Sequence, residues 1–288
     1  MNITILSNRD LASNFALNHL LPALHGHHLT VYLSSRLGKA EAHPQQLRDL
    51  ALLEHQKLNQ QQPSNQHPAG VDQSRAPMDA AHSSAKTFSL LSFDALSAYA
   101  SCPIAEFNDI NTVIGLARLR ASAPALIISL RYGVILKAAA ISVPTHGVIN
   151  LHSGPLPTYR GVMASFWGLL NGEDQLGTTL HYIHDTGVDT GSIIDTTTLR
   201  VNPQRSYLWH ALNLYPAGCA LIAATVARLA NGAPIESYAQ PQGGRYYTFP
   251  TGADLTRFTE RGLMLFDEEE LSGFFQRYQT LEYAAKAP

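Results

Sequence analysis

The strongest constraint on the fold is the occurrence of short segments that are apolar at nearly every position. Residues 125–130 read Ala-Leu-Ile-Ile-Ser-Leu, and residues 148–151 read Val-Ile-Asn-Leu further along the chain. Runs of this length are typical of strands that are buried on both faces, as in a parallel sheet covered by helices. The sequence therefore predicts an α/β fold.

The N-terminal residues predict the first unit of such a sheet. Residues 3–6 predict a strand, and Ser7-Asn8 is expected to cap a helix that begins near Asp10. Residues 29–33 predict the next strand. Strand, helix and strand in close succession are typical of a Rossmann-like, open and mainly parallel sheet with flanking helices.

The following residues interrupt this pattern. Residues 44–60 predict a helix, whereas residues 61–86 are rich in Gln, Pro, Ser, His and Ala and predict a flexible surface excursion. Regular structure is expected to resume at residues 88–91. Asn108-Asp109 is expected to cap a helix that ends before Pro124.

The remaining sequence suggests two regions, divided after Arg205. Residues 177–183 and 192–201 predict two more strands, so residues 1–205 form the predicted main domain. Residues 206–288 predict a long helix, kinked at Pro216, followed by a small α+β appendage with two short helices.

Composition and charge exclude several classes of protein. The formal net charge of −2, without clustered Lys or Arg, is unlike that of a nucleic-acid-binding protein. Two cysteines are too few for a disulfide scaffold, and no metal site is expected. The first residues lack the features of a signal peptide, and no apolar run is long enough to cross a membrane. We therefore expect a cytoplasmic protein without a membrane partner.

Polar residues suited to catalysis are concentrated in two segments. In residues 147–161, a predicted strand carries Asn150 and His152 two positions apart, so both project from the same face at its C-terminal end. Open α/β sheets place their sites at that end of the strands. In residues 181–191, a strand runs into a turn with Asp185 and Asp189.

An Asn, a His and an Asp at one strand end are suited to chemistry on a carbonyl group. An amide N–H and an imidazolium stabilise an oxyanion, each by about 3–4 kcal/mol when preorganised. A carboxylate would orient the imidazole, raise its pKa and relay protons. The chain has no Gly-x-Ser-x-Gly motif, so a covalent acyl-enzyme is not expected. It also lacks Gly-x-Gly-x-x-Gly and a P-loop, which argues against a nucleotide-dependent oxidoreductase.

These segments resemble the catalytic core of the formyltransferases that use 10-formyltetrahydrofolate. That family includes glycinamide ribonucleotide transformylase, methionyl-tRNA formyltransferase and the sugar-nucleotide N-formyltransferases. The resemblance extends from Asn111 to Val201, and more weakly back to Met1. Its elements, in order, are Asn150-Leu151-His152, Leu156-Pro157-Thr158-Tyr159-Arg160-Gly161, Asn171-Gly172, Gly177-Thr178 and Val188-Asp189-Thr190-Gly191.

The resemblance implies that Asn150, His152 and Asp189 are the catalytic triad of a formyltransferase domain. Asn150 and protonated His152 would stabilise the oxyanion of a direct attack, and Asp189 would relay protons. Asp189 is preferred to Asp185 because it lies in the Asp-Thr-Gly element. The formyl donor would be 10-formyltetrahydrofolate. Its pterin ring would be held by backbone groups and apolar walls; the implied residues are Arg131, Tyr132, Gly133, Val134, Leu136, Ile141, Val148, Ile183, His184, Asp185 and Gly187. We assign structural roles to His146 and His181.

The acceptor is expected to be a small-molecule amine, either an amino-sugar nucleotide or an amino acid or hydroxylamine. The chain has Gly154 where tRNA and sugar enzymes usually have Ser, so the resemblance does not extend to this position of the acceptor pocket. Three alternatives stay open: a methionyl-tRNA formyltransferase, a 10-formyltetrahydrofolate hydrolase and a non-catalytic folate-binding relative. The sequence also leaves open whether the chain forms a homodimer.

Overall fold

A computed structural model describes residues 1–35, 43–60 and 90–275 of the chain. Seven strands form one sheet. Five neighbouring strands are parallel, and each of the last two is antiparallel to the strand before it. From edge to edge they are β3 (Ala105–Glu106), β2 (His28–Ser34), β1 (Asn2–Asn8), β4 (Leu126–Leu130), β5 (Val148–His152), β7 (Gln175–Ile183) and β8 (Ile193–Arg200). The predicted mainly parallel, Rossmann-like α/β fold is confirmed.

Helices cover both faces of this sheet. They are α1 (Leu11–Ala23), α2 (Gln45–Gln60), α3 (Phe93–Leu96), α4 (Val113–Ala121), α5 (Ala138–Ile141), α6 (Ala164–Asn171), α7 (Tyr207–Asn213), α8 (Tyr215–Ala230), α9 (Gly252–Glu260) and α10 (residues 268–275). Two further strands, β6 (Tyr159–Gly161) and β9 (Arg245–Tyr247), pair in parallel outside the main sheet. The pair β6–β9 joins the C-terminal residues to the loop that follows β5.

The central strands are buried on both sides, as their composition predicts. Ile128 and Ile149 pack into a large core that includes side chains of α1 and α8. Ile127 and Val148, one position earlier on each strand, pack into a smaller core on the opposite face with Leu119 of α4. Since successive side chains of a strand alternate between faces, a strand between two cores must be apolar at every position.

The cap of α1 is Asp10 and not the predicted Ser7-Asn8. The Asp10 carboxylate accepts a hydrogen bond of 2.7 Å from the backbone N–H of Ser13. Ser7 and Asn8 belong to β1, and the Asn8 side chain instead donates to the Asp10 carboxylate. The prediction was wrong because the residue directly before the helix can cap it, which leaves the preceding residues free to complete the strand.

Two predictions for the next segment were also wrong. The cap of α4 is Thr112, whose hydroxyl accepts from the N–H of Gly115, whereas Asn108 bonds to Ser35. Of the predicted regular segment 88–91, residues 90 and 91 are described and form no strand or helix; the backbone of Leu91 instead bonds to the Asn18 side chain. The predicted excursion at residues 61–86 lies outside the described residues.

The predicted long C-terminal helix is two helices that meet at Leu214. Pro216 lies in the first turn of α8. The N–H groups of a first turn have no acceptor within the helix, so the N–H that proline lacks costs no helical hydrogen bond. Residues Tyr207–Ala230 are long and apolar enough to cross a membrane by length and composition alone. In this fold their buried side chains, among them Tyr215, Ile222 and Val226, belong to the core.

The C-terminal helices contribute side chains to the same large core as the strands. Phe258 of α9 stacks on Phe166 of α6 with ring centroids 4.4 Å apart, and both rings are fully buried. Leu271 and Phe274 of α10 join the same core. The domain boundary after Arg205 stays a prediction, although the packing on its two sides is continuous.

We expect Phe258→Ala to lower the free energy of unfolding by about 3–5 kcal/mol, because it removes a buried ring and leaves a cavity between α6 and α9. Urea denaturation followed by circular dichroism measures the loss. Val113→Ala, at a side chain that is 86% exposed, is the control and should change stability by less than about 0.5 kcal/mol. Equal stabilities of the two variants would show that α9 does not share the core.

Candidate active site

A cavity of about 390 Å³ opens at the carboxyl ends of the parallel strands. Its walls come from the loop after β1, the loop after β4, the end of β5 and the turn after β7. The lining residues include Asn8, Asp10, Ser129, Arg131, Asn150, His152, Met163, His181, Ile183, Asp189, Tyr207, Tyr215, Tyr246 and Phe249. The cavity lies where open α/β sheets usually bind their ligands.

The structure brings Asn150, His152 and Asp189 together at this cavity. Nδ1 of His152 lies 3.4 Å from the Asp189 carboxylate, and both side chains are almost buried. Asn150 and His152 project from the end of β5, while Asp189 arrives from the turn after the antiparallel strand β7. Three residues that are up to 39 positions apart in the sequence therefore share one wall.

Backbone contacts fix the position of Asp189. Its carboxylate accepts a 2.8 Å hydrogen bond from the N–H of Gly161, and its carbonyl accepts one of 2.9 Å from the Gln240 side chain. Asp189 has a φ of +54°, a left-handed conformation that is costly for a residue with a Cβ. Such strain persists where surrounding contacts hold it, and here two other segments supply those contacts.

His152 is held in one tautomer. Its Nε2 lies 2.6 Å from the carbonyl oxygen of Tyr159, and a carbonyl can only accept, so Nε2 carries the proton. When the ring is neutral, Nδ1 therefore directs a lone pair towards the Asp189 carboxylate. Burial lowers the pKa of His152 below 6.5 and outweighs the opposite effects of Asp189 and of the Tyr159 carbonyl. Asp189 does raise the pKa of His152 as predicted, but desolvation outweighs it, so the imidazolium expected from the sequence is not the form at neutral pH.

Asp189 keeps its negative charge at neutral pH. Burial by itself would raise the pKa of this carboxyl group. His152, His181 and the N–H of Gly161 outweigh burial and lower the pKa to about 2. At neutral pH the pair therefore consists of a carboxylate and a neutral imidazole that presents a lone pair.

His181 belongs to the site, and the structural role assigned to it from the sequence was incomplete. Its Nδ1 lies 2.8 Å from the carbonyl oxygen of Tyr182, so this nitrogen is the donor. Nε2 of the neutral ring then accepts from the Asn150 amide at 3.1 Å, and it lies 3.4 Å from Asp189. His181 thereby fixes which atom of the Asn150 amide is nitrogen and leaves its second N–H for a group in the cavity.

The register of β5 and β7 explains why the sequence did not indicate His181. Asn150 lies directly opposite His181 in this antiparallel pair, so their side chains share a face. His181 and Ile183 are two positions apart on β7 and both line the cavity. The sequence shows that His181 and Ile183 lie on one face of a strand. It indicates that this face belongs to the site only when β7 is known to pair with β5.

Most of the residues implied for the pterin ring also line the cavity. They are Arg131, Tyr132, Gly133, Val134, Leu136, Ile183, Asp185 and Gly187. Val148 is instead buried in the smaller core, and Ile141 and His184 line a second opening of about 410 Å³ that shares Ile183 with the first. Arg131 differs from the rest of the group, because its side chain bonds to Asp10 and Tyr215 at the far end of the cavity.

Part of the chain is similar to proteins of a known family. Residues 112–208 match the formyl transferase family. The chain is 36% identical over 117 residues to a methionyl-tRNA formyltransferase of Synechococcus sp. (strain JA-3-3Ab), covering 41% of this chain and 36% of the relative. It is 35% identical over 115 residues to one of Thermodesulfovibrio yellowstonii, covering 40% and 37%. The chain thus matches little more than a third of the length of these curated relatives.

Solved structures share the fold over most of the chain. A sugar N-formyltransferase from Shewanella sp. superposes with a TM-score of 0.54 at 13% identity, covering 91% of this chain and 87% of the other. A glycinamide ribonucleotide transformylase from Symbiobacterium toebii gives 0.53 at 12% identity, covering 84% and 95%. At such identities the likeness supports the fold alone.

The low pKa of Asp189 predicts a pH-dependent contribution to stability. With an ordinary value of 3.8 and a folded value of about 2, the carboxylate stabilises the fold by about 2 kcal/mol above pH 4, and this is lost as the pH falls to 2. We expect Asp189→Asn to lack this component. Urea unfolding from pH 6 to pH 2 measures it, with Asp174→Asn, at an exposed residue, as the control. Parallel pH profiles of wild type and Asp189→Asn would contradict the assignment.

Proposed function

Because the chain carries a domain of the formyl transferase family, we propose that it transfers a formyl group from 10-formyltetrahydrofolate directly to the amine of a small-molecule acceptor. The observation that carries this proposal is the meeting of Asn150, His152 and Asp189 at one cavity, with a neutral imidazole that faces a carboxylate. Such a group is suited to accept a proton while an amine attacks a carbonyl carbon.

The cavity residues are compatible with a folate as formyl donor. The loop after β4 and the turn after β7 face each other, and Val134 and Ile183 pack in the same apolar cluster. Backbone N–H and C=O groups between apolar side chains suit a flat ring with amide-like edges. Tyr132, Gly133, Leu136, Asp185 and Gly187 complete this half of the cavity.

We assign the chemistry to the chain as follows. Asn150 offers its second N–H to the formyl oxygen, where negative charge develops as the neutral amine attacks. A C–N bond forms to the amine, and the bond from the formyl carbon to the folate nitrogen breaks. The amine loses its proton to the His152–Asp189 pair, where Nδ1 and the carboxylate face each other as acceptors and can share it. The proton then passes to the departing folate nitrogen.

A small-molecule acceptor agrees with the charge of the chain better than tRNA does. The net charge is −2, and basic residues are not clustered along the sequence. Methionyl-tRNA is nevertheless the substrate that the curated relatives' names state, so tRNA is the second candidate for this chain.

We expect Asn150→Ala and His152→Ala each to lower kcat by roughly 100-fold or more, because each removes a group that acts in the transition state. Tetrahydrofolate release followed by absorbance measures the rate, and circular dichroism verifies folding. Asn108→Ala and His146→Ala replace the same residue types away from the cavity and are the matched controls. Near-normal rates in both site variants would disprove the mechanism.

The proposed transfer itself is tested with 10-formyltetrahydrofolate and a panel of acceptors. The panel contains nucleotide-linked amino sugars, small amino acids, hydroxylamines, glycinamide ribonucleotide and charged initiator tRNA. We expect tetrahydrofolate release that depends on a small amine, with one formylated amine formed per folate. Release with tRNA alone would establish the second candidate, release without any acceptor would indicate hydrolysis, and no release would indicate a non-catalytic relative.

A further inference from the structure

The end of the cavity opposite the proposed folate half contains a charged cluster that the mechanism does not use. Arg131 donates from Nε and Nη2 to the Asp10 carboxylate at 2.9–3.1 Å, and from Nη1 to the Tyr215 hydroxyl at 3.2 Å. Asp10 is 4% exposed, whereas the Arg131 side chain is 28% exposed and lines the cavity. The ion pair therefore forms a wall that a ligand can reach from one side.

The hydrogen-bond geometry leaves part of the guanidinium available. An arginine has five N–H groups, and Asp10 engages the edge formed by Nε and Nη2 while Tyr215 engages one N–H of Nη1. Within residues 1–35, 43–60 and 90–275, no acceptor engages the remaining N–H of Nη1 or of Nη2. Nη1 and Nη2 form the second edge of the guanidinium, the kind of fork with which arginine binds a carboxylate.

The backbone of Arg131 supports a functional role for its side chain. Its φ is +60°, in the left-handed region that favours glycine. A glycine would adopt this conformation without strain, so the chain holds an arginine here at a conformational cost. Such strain is concentrated at active sites and ligand-binding sites.

The electrostatics of the cluster also permit an anion. Asp10 neutralises the charge of Arg131, and the other nearby carboxyl group, that of Glu54 on α2, has its pKa raised to about 8 by burial and then by Asp10. At neutral pH Glu54 is therefore mostly uncharged. An incoming carboxylate then meets the Arg131–Asp10 ion pair and two phenols, those of Tyr207 and Tyr215. Among the described residues of this end it meets no unpaired negative charge.

We propose that Arg131 anchors the carboxylate of the acceptor, so that the acceptor is a compact amino acid-like amine whose anionic end lies at Asp10–Arg131 and whose amine lies at Asn150. This inference rests on the proposed formyl transfer. The strands β1 and β5 are two strand spacings apart, about 10 Å. Asp10 lies four residues beyond Leu6, which is level with Asn150, so this spacing is the minimum span and the acceptor needs a chain of several bonds between its amine and its carboxylate.

The test is binding of a length series in the presence of saturating tetrahydrofolate, measured by isothermal titration calorimetry. The probes are glycine, β-alanine, γ-aminobutyrate, δ-aminovalerate and ornithine, each beside its carboxamide, with an aminoalkyl phosphonate as a further arm. We expect at least one carboxylate to bind tenfold or more tightly than its carboxamide. Equal affinities, tighter binding of the phosphonate, or no binding in the series would overturn the inference.

Arg131→Lys sharpens the test, because it keeps a cation opposite Asp10 but removes the two-donor fork. We expect it to abolish the preference for the carboxylate, raising Kd for the carboxylate about tenfold or more and leaving Kd for the carboxamide unchanged. Arg205→Lys, at an ion pair with Glu270 outside the cavity, is the matched control and should retain the preference. An unchanged preference in Arg131→Lys would overturn the inference.

A separate assay keeps this inference distinct from the proposed function. Formyl transfer to amines irrespective of a carboxylate would overturn the role of Arg131 and leave the transfer reaction intact. Carboxylate binding that requires Arg131, without formyl transfer to any amine, would support the anchor and overturn the proposed function.

Discussion

The antiparallel pairing of β5 with β7 is the constraint on which the candidate site depends. It places Asn150 opposite His181, and it returns the chain so that the turn after β7 carries Asp189 back to His152. Ile183, at the end of β7, lies beside Val148 at the start of β5, and the following residues 185–189 return along the cavity wall to His152. The change from parallel to antiparallel strands therefore assembles the polar groups within one short segment.

Burial decides how these groups divide charge and protons. Desolvation disfavours a charged His152, whereas Asp189 retains its charge because the N–H of Gly161 and two imidazoles surround it. A buried carboxylate beside a neutral imidazole has room for one more proton, and the pair would hold that proton between them. Of the two contacts that keep Asp189 in a left-handed conformation, the N–H of Gly161 thus also keeps its carboxylate charged.

The sequence predicted the sheet and the shared face of Asn150 and His152 because these depend on local patterns, whereas the resemblance to a known family added Asp189 to them. Apolar runs identify central strands, and alternation puts two polar residues of one strand on one face. His181 and the Asp10–Arg131 pair were not predicted in these positions, since each depends on contacts between residues 31 or more positions apart. The helix caps were misplaced for a simpler reason: several residues near each helix start can cap it, and only the backbone path selects one.

Gly154 lies between the start of α6 and the ring of His152. A Cβ at this position would lie 2.4 Å from Cβ of Ala164 and 2.9 Å from Nε2 of His152, closer than side chains pack. The resemblance predicts a serine here for tRNA and sugar acceptors, and a serine would displace either the start of α6 or the imidazole. Met163, directly before α6, lines the cavity. Glycine therefore permits at once the bond from His152 to the Tyr159 carbonyl and the present position of the cavity wall, so a serine at this position would alter one or the other.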